Sequence, residues 1–277
     1  QNAALYVMSP VTWVLEDVCE KWLIDLLNLP SGTAAGLVGG TSAASLCGLA
    51  AGRNELLRRA GYDAARRGLY GAPEIRVGLG EDAHSTVYKA LSILGMGSER
   101  LVIIPTDSQG RMRPSSLPAL DDRTLLLLQA GNVNSGAFDD FTAICTRARE
   151  AGSWVHVDGA FGLWAAASKN LRHLTEGMAL ADSWSVDAHK TLNAPYDNGI
   201  ILCRHPQALT QALHMTGAYI QYSEHRDGML YTPDMSRRAR AVELWATLKA
   251  LGKEGVGQLV EGLHMRAGYF AQALSAE

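Results

Sequence analysis

Short apolar runs alternate with segments of helical periodicity along most of the chain, and this alternation limits the possible folds more than any other feature. Apolar runs bounded by turn residues predict buried strands, whereas apolar residues spaced three and four apart predict helices. The predicted strands span residues 74–78, 101–104, 125–129, 154–157, 183–186 and 199–203, and the predicted helices span residues 11–28, 42–59, 83–94, 140–151, 206–215, 237–251 and 255–274. Strands joined through helices form right-handed crossovers, so we predict an α/β fold with a mostly parallel central sheet flanked by helices.

Two of the apolar runs are followed by side chains that can hold a cofactor. The run at 154–157 ends at Asp158, and the run at 183–186 leads through Asp-Ala-His to Lys190. Ligands of open α/β sheets collect outside the carboxyl ends of the strands. A lysine can form a Schiff base with pyridoxal phosphate, and an acid can keep the pyridine nitrogen of that cofactor protonated. The pair therefore indicates a pyridoxal phosphate site, although a structural salt bridge or a helix cap would also explain the two residues.

Two further segments suit the other parts of such a cofactor. Gly-Gly-Thr-Ser at 39–42 opens a predicted helix, where free backbone amides and the hydroxyls of Thr41 and Ser42 can bind a phosphate group. His84 lies at the start of another helix and offers a flat ring that can stack on the cofactor. After Asp158, the small residues Gly159 and Ala160 leave room for a planar ring. Taken alone, the glycine-rich turn is more often an ordinary cap and a lone histidine like His84 more often a cap or a surface group, but together the segments favour one site.

The overall composition excludes several classes of function. The chain has 277 residues, of which 47% are hydrophobic and 19% charged, with a net charge of −3. This balance is typical of a globular protein and argues against binding nucleic acid through bulk charge. No apolar run is long enough to cross a membrane. The four cysteines lack CxxC spacing, so we predict free thiols and no metal site. Free thiols in turn predict a reducing, cytoplasmic location.

Three motifs resemble those of a known family, the group II pyridoxal-phosphate-dependent amino-acid decarboxylases. Ala-His-Ser-Thr-Val-Tyr-Lys-Ala at 83–90 is similar to the family's histidine motif, and His-Val-Asp-Gly-Ala-Phe-Gly at 156–162 is similar to its aspartate motif. Asp-Ala-His-Lys-Thr-Leu-Asn-Ala-Pro-Tyr-Asp at 187–197 resembles its lysine motif and is the most specific of the three. The resemblance covers nearly the whole chain.

The resemblance implies a type I aminotransferase-like fold, pyridoxal 5'-phosphate as cofactor, and decarboxylation of an L-amino acid to the amine and CO2. It also implies a homodimer whose active sites lie at the subunit interface. The implied catalytic residues are Lys190, His84 and Asp158. The implied cofactor-binding residues are Thr41, Ser42, His84, Asn132, Asp158, Ala160, His189 and Lys190.

Within this set the resemblance gives each residue a role. Lys190 is the Schiff-base lysine and Asp158 pairs with the pyridine nitrogen, while His84 and Ala160 lie against the two ring faces. Thr41 and Ser42 bind the phosphate, and His189 packs beside the cofactor. Asn132 stands where the family commonly has a threonine.

The sequence leaves the reaction and the substrate open. Family decarboxylases carry a mobile loop with a proton-donating tyrosine; residues 221–234 occupy that region, but Tyr222 and Tyr231 do not fall at the expected offset. An aminotransferase or aldolase would need the same lysine and acid, and a non-catalytic truncated homologue is a further alternative. Arg226, Arg237 and Arg238 could pair with an acidic substrate, and Trp13 and Trp164 could flank an aromatic one, but solvated surface arginines and core-packed tryptophans are the favoured interpretation.

The chain is predicted to divide into three parts. Residues 1–30 form an N-terminal helical segment, and residues 31–235 form the large domain that binds the cofactor. Residues 236–277 form helices that lead to a small domain, which we expect to be truncated because the chain is shorter than family subunits.

Overall fold

A single seven-stranded sheet organises the protein in the computed structural model, which describes residues 2–214, 220 and 224–276. The strands are β1 Ala34–Val38, β2 Arg76–Gly80, β3 Leu101–Ile104, β4 Thr124–Gln129, β5 Trp154–Asp158, β6 Ser183–Asp187 and β7 Gly199–Cys203. The helices are α1 Pro10–Leu26, α2 Thr41–Arg59, α3 Ala64–Arg67, α4 Ser85–Ile93, α5 Phe141–Glu150, α6 Pro206–Leu213 and α7 Ala241–Ser275. Short 3₁₀ turns lie between these elements.

The sheet has the order β1-β7-β6-β5-β4-β2-β3, and every neighbouring pair is parallel except those that β7 forms with β1 and β6. The predicted α/β class with a mostly parallel sheet is therefore confirmed. All six predicted strands are present, although β2 lies two residues later than predicted. The predicted helix at 206–215 ends at Leu213, and residue 215 lies outside the described residues.

Strand β1 was missed because its sequence, Ala-Ala-Gly-Leu-Val, is dominated by small residues of low strand propensity. It forms because β7 pairs with it along its whole length and because all five of its residues are buried. Gly36 also has a steric role, since a Cβ there would lie 2.1 Å from the carbonyl oxygen of Tyr231. Tertiary contacts thus create a strand that local sequence does not specify.

The two helices predicted at 237–251 and 255–274 form one element, α7, which begins four residues later than predicted. Gly252 interrupts it with φ of 63° and ψ of 178°, in a region that favours glycine. The predicted break therefore exists as a single-residue kink, and no separate loop joins two helices.

Residues that alternate along the strands fill a separate hydrophobic layer on each face of the sheet. Leu126, Leu128, Val155 and Val157 contact the layer beneath α1, α5 and α7. Leu125, Leu127 and Trp154 contact the layer beneath α2, α4 and α6. Helices on both faces explain why β4 carries four consecutive leucines and does not alternate with polar residues.

A buried polar network lies inside the second layer, centred on His156 of β5. The Nδ1 atom of His156 lies 2.8 Å from Ser183 Oγ, and its Nε2 atom lies 3.4 Å from Ser185 Oγ, which itself contacts Ser45 Oγ of α2 at 3.0 Å. The indole of Trp154 donates to Ser183 Oγ at 3.1 Å. Burial disfavours a charged imidazole and lowers the pKa of His156 from 6.5 to about 3.

This network predicts a loss of stability in mild acid. The unfolded chain takes up a proton at His156 near pH 6.5, whereas the folded chain does so only near pH 3, so stability is complete above the first value and falls as pH decreases between the two. The full effect amounts to roughly 4–5 kcal/mol. Denaturant unfolding of wild type and His156→Gln from pH 7 to pH 4 measures the part of this effect that is lost by pH 4, about 3 kcal/mol.

The difference between the two proteins is the informative quantity in that experiment. Burial raises the pKa of Asp139 to about 6, and this carboxyl group therefore changes stability in the opposite direction over part of the same range. We expect wild type to lose more stability than His156→Gln as the pH falls. Exposed His173 provides the control, because His173→Gln should follow the wild-type curve. Parallel curves for wild type and His156→Gln would contradict the prediction.

The four cysteines are free and buried, as the sequence predicts, and burial raises the pKa of each thiol to about 12. They are therefore poor nucleophiles. Within residues 2–214, 220 and 224–276, no helix is long and apolar enough to span a lipid bilayer. No cluster of histidine, cysteine and acidic residues in those same ranges could hold a metal ion.

Candidate active site

A cavity of about 400 Å³ opens at the edge of the sheet where β1, β2, β4, β5 and β6 end and β7 begins. This is the edge at which ligands of open α/β sheets bind. The residues that line it are Gly39, Gly40, Thr41, Ser42, Ala43, His84, Thr86, Gln129, Gly131, Val133, Asp158, Ala160, Phe161, Asp187, His189, Lys190 and Tyr196. Seven of the eight predicted cofactor-binding residues are among them.

Lys190 lies in the turn between β6 and β7 and lines the cavity. Its Nζ atom lies 2.9 Å from Oδ2 of Asp187, the last residue of β6, and 4.4 Å from the centre of the Phe161 ring. The side chain retains 27% of its exposure, whereas Asp187 retains 2%. The amine is therefore reachable from the cavity while its partner is buried.

The glycine-rich turn forms the opposite wall and begins α2. The backbone amide of Thr41 donates to Oδ1 of Asp187 at 2.7 Å, and Thr41 Oγ1 is buried without a hydrogen-bond partner among the described residues. Gly199 lets β7 pass close to the turn, since a Cβ on it would lie 2.3 Å from the Cα of Gly40. A larger residue at position 199 would displace the turn. With glycine there, the turn keeps its place and the hydroxyl group of Thr41 remains available to a ligand.

Asp158 is the last residue of β5 and is buried beside the cavity. Burial raises the pKa of its carboxyl group, although the Ala160 amide, His84 and Lys190 each lower that pKa. The amide of Ala160 donates to Asp158 Oδ1 at 3.2 Å and so fixes the carboxylate. A cation bound in the cavity would stabilise the ionised form of Asp158.

His84 caps α4 and faces the same cavity. Its Nδ1 atom accepts from the Thr86 amide at 3.3 Å and lies 2.8 Å from Thr86 Oγ1. Because the Thr86 amide donates to Nδ1, that ring nitrogen serves as an acceptor in this arrangement. His84 therefore has both roles that its sequence position allowed. It caps the start of α4, and its ring still lines the cavity.

His189 lies between Asp187 and Tyr196. Its Nδ1 atom accepts from the Asn198 amide at 3.0 Å, and its Nε2 atom lies 3.6 Å from Asp187 Oδ2. The ring stacks on Tyr196 with centroids 3.9 Å apart. His189 is thus held on both edges and one face, which restricts its ring to a single orientation.

Asn132 is the predicted site residue that the structure does not place among the cavity-lining residues. It is buried, and its Oδ1 atom accepts from the amides of Asn134 at 2.9 Å and Ser135 at 3.3 Å. Its neighbours Gly131 and Val133 line the cavity instead. The side chain shapes the loop that carries them, and its contact with a cofactor stays a prediction.

Sequence reasoning missed Asp187 and the apolar lining. Asp187 ends an apolar strand, which is the signal that identified Asp158, but it was treated only as part of the lysine motif. Val133, Phe161 and Tyr196 are 53%, 42% and 73% exposed. Phe161 and Tyr196 stand within the aspartate and lysine motifs, but sequence alone gives no reason to expect Val133 beside them.

The side chains weighed for substrate contacts have other partners. Trp164 is fully buried and donates to the carbonyl of Asp187, and Trp13 packs against Tyr6 and His225. Arg226 and Arg237 both pair with Glu16. Arg226 also pairs with Glu20, so two acids face these two arginines within the chain.

The segment predicted as a catalytic loop lies partly outside the described residues, and so does Tyr222. Its other tyrosine, Tyr231, ends a 3₁₀ turn at Gly228–Tyr231, and the guanidinium of Arg226 lies 3.9 Å from the centre of its ring. Tyr231 is not among the cavity-lining residues. Arg238, the third arginine considered, pairs with Asp197 at 3.0 Å.

Comparison with known proteins places this site in context. The model of the pyridoxal-dependent decarboxylase conserved domain matches residues 1–277. A phenylacetaldehyde synthase from Rosa hybrid cultivar is 30% identical over 272 residues, which cover 89% of this chain and 51% of the relative. An aromatic-L-amino-acid decarboxylase from Bacillus atrophaeus is 28% identical, over 94% of this chain and 56% of the relative. The chain thus spans about half the length of these curated relatives.

Solved structures share the fold over nearly the whole chain. The crystal structure of Rhodiola rosea 4-hydroxyphenylacetaldehyde synthase has a TM-score of 0.84 at 26% identity and covers 100% of this chain and 59% of that one. The crystal structure of Oryza sativa TDC with PLP and tryptamine has a TM-score of 0.83 at 25% identity and covers 93% and 56%. The predicted aminotransferase-like fold class is confirmed by these likenesses.

Proposed function

Because this chain belongs to the family of pyridoxal-dependent decarboxylases, we propose that it binds pyridoxal 5'-phosphate at Lys190 and decarboxylates an L-amino acid. The observation that carries the proposal is the convergence of Lys190, Asp158, His84 and the Thr41 turn on one cavity. These residues are distant in sequence and differ in chemistry, yet each suits a different part of one cofactor.

The residues present fit this cofactor on structural grounds. The buried hydroxyl of Thr41 lacks a partner among the described residues, and it lies at a helix start where a phosphate group is favoured. Asp158 offers a carboxylate whose burial is unfavourable without a cation. Lys190 offers an amine that remains accessible. An anionic group, a basic ring nitrogen and an aldehyde would each find a complementary partner.

The mechanism assigns each side chain a task. Pyridoxal phosphate supplies, when bound, a ring that takes up the electron pair left as CO2 departs. Lys190 would hold the cofactor covalently and release it to the substrate amine. Asp158 would keep a proton on the ring nitrogen, and His84 would pack against one face of the ring. Thr41 and Ser42 would bind the phosphate group.

The cavity favours a substrate with an apolar or aromatic side chain. Val133, Phe161 and Tyr196 expose apolar surface to it, and no arginine lines it among the described residues. A side-chain carboxylate would need a cation besides Lys190, and the nearby arginines are paired with acids. We therefore place aromatic and large apolar amino acids ahead of aspartate and glutamate as substrates.

A second reaction outcome deserves measurement, because one relative at 30% identity is a phenylacetaldehyde synthase. The products to be distinguished are therefore the amine and the aldehyde, each alongside CO2, and a keto acid without it. An aminotransferase would release a keto acid without CO2, and a non-catalytic homologue would release nothing. The proposed chemistry requires CO2 from every productive substrate.

An amino-acid panel tests the proposal directly. The protein, supplied with pyridoxal phosphate and a 2-oxo acid as amino-group acceptor, is incubated separately with aromatic, aliphatic and acidic L-amino acids, and CO2, amine, aldehyde and the keto acid of each substrate are quantified. We expect CO2 with an aromatic or large apolar substrate and at least about tenfold less with aspartate or glutamate. Keto acid without CO2 would replace decarboxylation by transamination, and turnover of acidic substrates alone would overturn the side-chain preference.

Three further features remain proposals that rest on the family. We propose a homodimer with active sites at the subunit interface, a cytoplasmic location, and the division into residues 1–30, 31–235 and 236–277. Light scattering of the purified protein tests the first of these. A monomer that carries full activity would contradict an interface active site.

A further inference from the structure

Asp187 connects the amine and the phosphate-binding turn of the site. Its carboxylate is 2% exposed and has a different partner on each oxygen. Oδ1 accepts from the Thr41 amide at 2.7 Å, and Oδ2 lies 2.9 Å from Lys190 Nζ and 3.6 Å from His189 Nε2. One buried side chain therefore contacts both the glycine-rich turn and the segment that carries His189 and Lys190.

An ordinary surface ion pair does not describe this arrangement. Exposed pairs contribute little because water competes for both charges. Here the acid is almost fully buried and its other oxygen is fixed by a backbone amide, so its position is set independently of the lysine. The β6 strand end is also anchored, since Trp164 donates to the Asp187 carbonyl at 3.0 Å. The carboxylate is a fixed point, and Lys190 and the turn are positioned relative to it.

We propose that Asp187 is a positioning residue with two separable roles, holding the glycine-rich turn through Oδ1 and holding the Lys190 amine as its ion-pair partner through Oδ2. This inference rests on the proposed cofactor site. The first role preserves the shape of the phosphate cradle in the absence of phosphate. The second keeps the amine in the cavity but delays its reaction with an aldehyde.

The delay follows from the chemistry of attachment. The amine nitrogen adds to the aldehyde carbon, the carbonyl oxygen leaves as water, and no electrons are exchanged with an outside reagent. An ammonium group cannot add, so Lys190 must first give up a proton and separate from Asp187. Weakening the ion pair should therefore accelerate attachment, whereas loss of the Thr41 contact should weaken phosphate binding.

Two substitutions separate these roles. Asp187→Asn keeps an oxygen that can accept from Thr41 but removes the charge that holds Lys190, whereas Asp187→Ala removes both. The probes are pyridoxal phosphate and pyridoxal, which share the aldehyde and differ in the phosphate. The readouts are the absorbance of the lysine-bound chromophore and, after borohydride reduction, the mass of the peptide that carries Lys190. None of these depends on turnover.

We expect Asp187→Asn to react with both probes at least about fivefold faster than wild type and to bind pyridoxal phosphate within about threefold of wild type. We expect Asp187→Ala to bind pyridoxal phosphate about tenfold more weakly while its affinity for pyridoxal changes less than about threefold. Asp82→Asn is the matched control. Asp82 is an exposed acid at the same edge of the sheet; it accepts a hydrogen bond from Thr106 and forms no ion pair with Lys190. The Asp82→Asn variant should therefore behave as wild type.

The possible outcomes are distinct. Wild-type affinity of Asp187→Ala for pyridoxal phosphate would refute the first role, and an unaccelerated Asp187→Asn would refute the second. Asp187→Asn alone decides the second role if Asp187→Ala fails to fold, and thermal unfolding of each variant identifies that case. If wild type forms no Lys190 adduct with either probe, the proposed function fails before Asp187 is tested.

Discussion

Replacing Lys190 with alanine is expected to abolish covalent attachment of pyridoxal phosphate and to reduce turnover by about a thousandfold or more. The amine is the only lysine nitrogen that lines the cavity among the described residues. Without it, the aldehyde has no partner that can form the covalent link. The absorbance of the bound chromophore and the release of CO2 measure the two losses.

A matched substitution shows whether the effect is specific. Lys249 is an exposed lysine on α7, and Lys249→Ala should keep both the chromophore and the activity of wild type. Thermal unfolding of both variants separates a local chemical loss from a loss of the fold. Retention of the chromophore by Lys190→Ala would show that another group holds the cofactor and would remove the basis of the proposed site.

Replacing Asp158 with asparagine is expected to reduce turnover by about a hundredfold or more while the cofactor still attaches to Lys190. Asparagine nearly preserves shape and can still accept from the Ala160 amide, but it cannot hold a proton on the ring nitrogen by charge. The effect should be large because Asp158 is buried, where a missing charge is poorly replaced by water. Steady-state CO2 release and the chromophore spectrum measure the two quantities separately.

Asp82→Asn again provides the control for Asp158→Asn, since Asp82 is an exposed acid at the same edge of the sheet. It should turn over substrate at the wild-type rate. A failure of Asp158→Asn to bind the cofactor would assign Asp158 to binding, whereas unchanged turnover would contradict its proposed role. Asp158→Glu is informative as well, because it restores the charge but adds a methylene group in a buried position.

The sequence predicted the structure best where a reactive side chain follows a segment of clear apolar periodicity. Continuous apolar runs identified six strands, and the polar residues that follow two of them identified Asp158 and Lys190. The same rule extends to Asp187, whose position at the end of β6 is visible in the sequence. Its double contact with Thr41 and Lys190 is not visible, because it depends on how close α2 comes to the end of β6.

Local sequence was least informative where distant segments decide the conformation. Strand β1 has weak strand propensity and exists because β7 pairs with it. Asn132 stands at a motif position, but the amides of its own loop use its carboxamide oxygen. The kink at Gly252 within α7 is a further example. A glycine permits a break in a helix, but the packing of the helix determines how large that break is.

The sequence by itself determined the α/β class, the family and the residue types that can hold a cofactor, because side-chain periodicity and functional groups are properties of the chain. The tertiary structure decided which of those groups meet. Parallel strands bring their carboxyl ends to one edge, and only sheet order and register place Asp158, Asp187 and the Thr41 turn around one cavity. A carboxylate becomes a fixed positioning group only when burial removes competing water, and burial is a property of the folded chain.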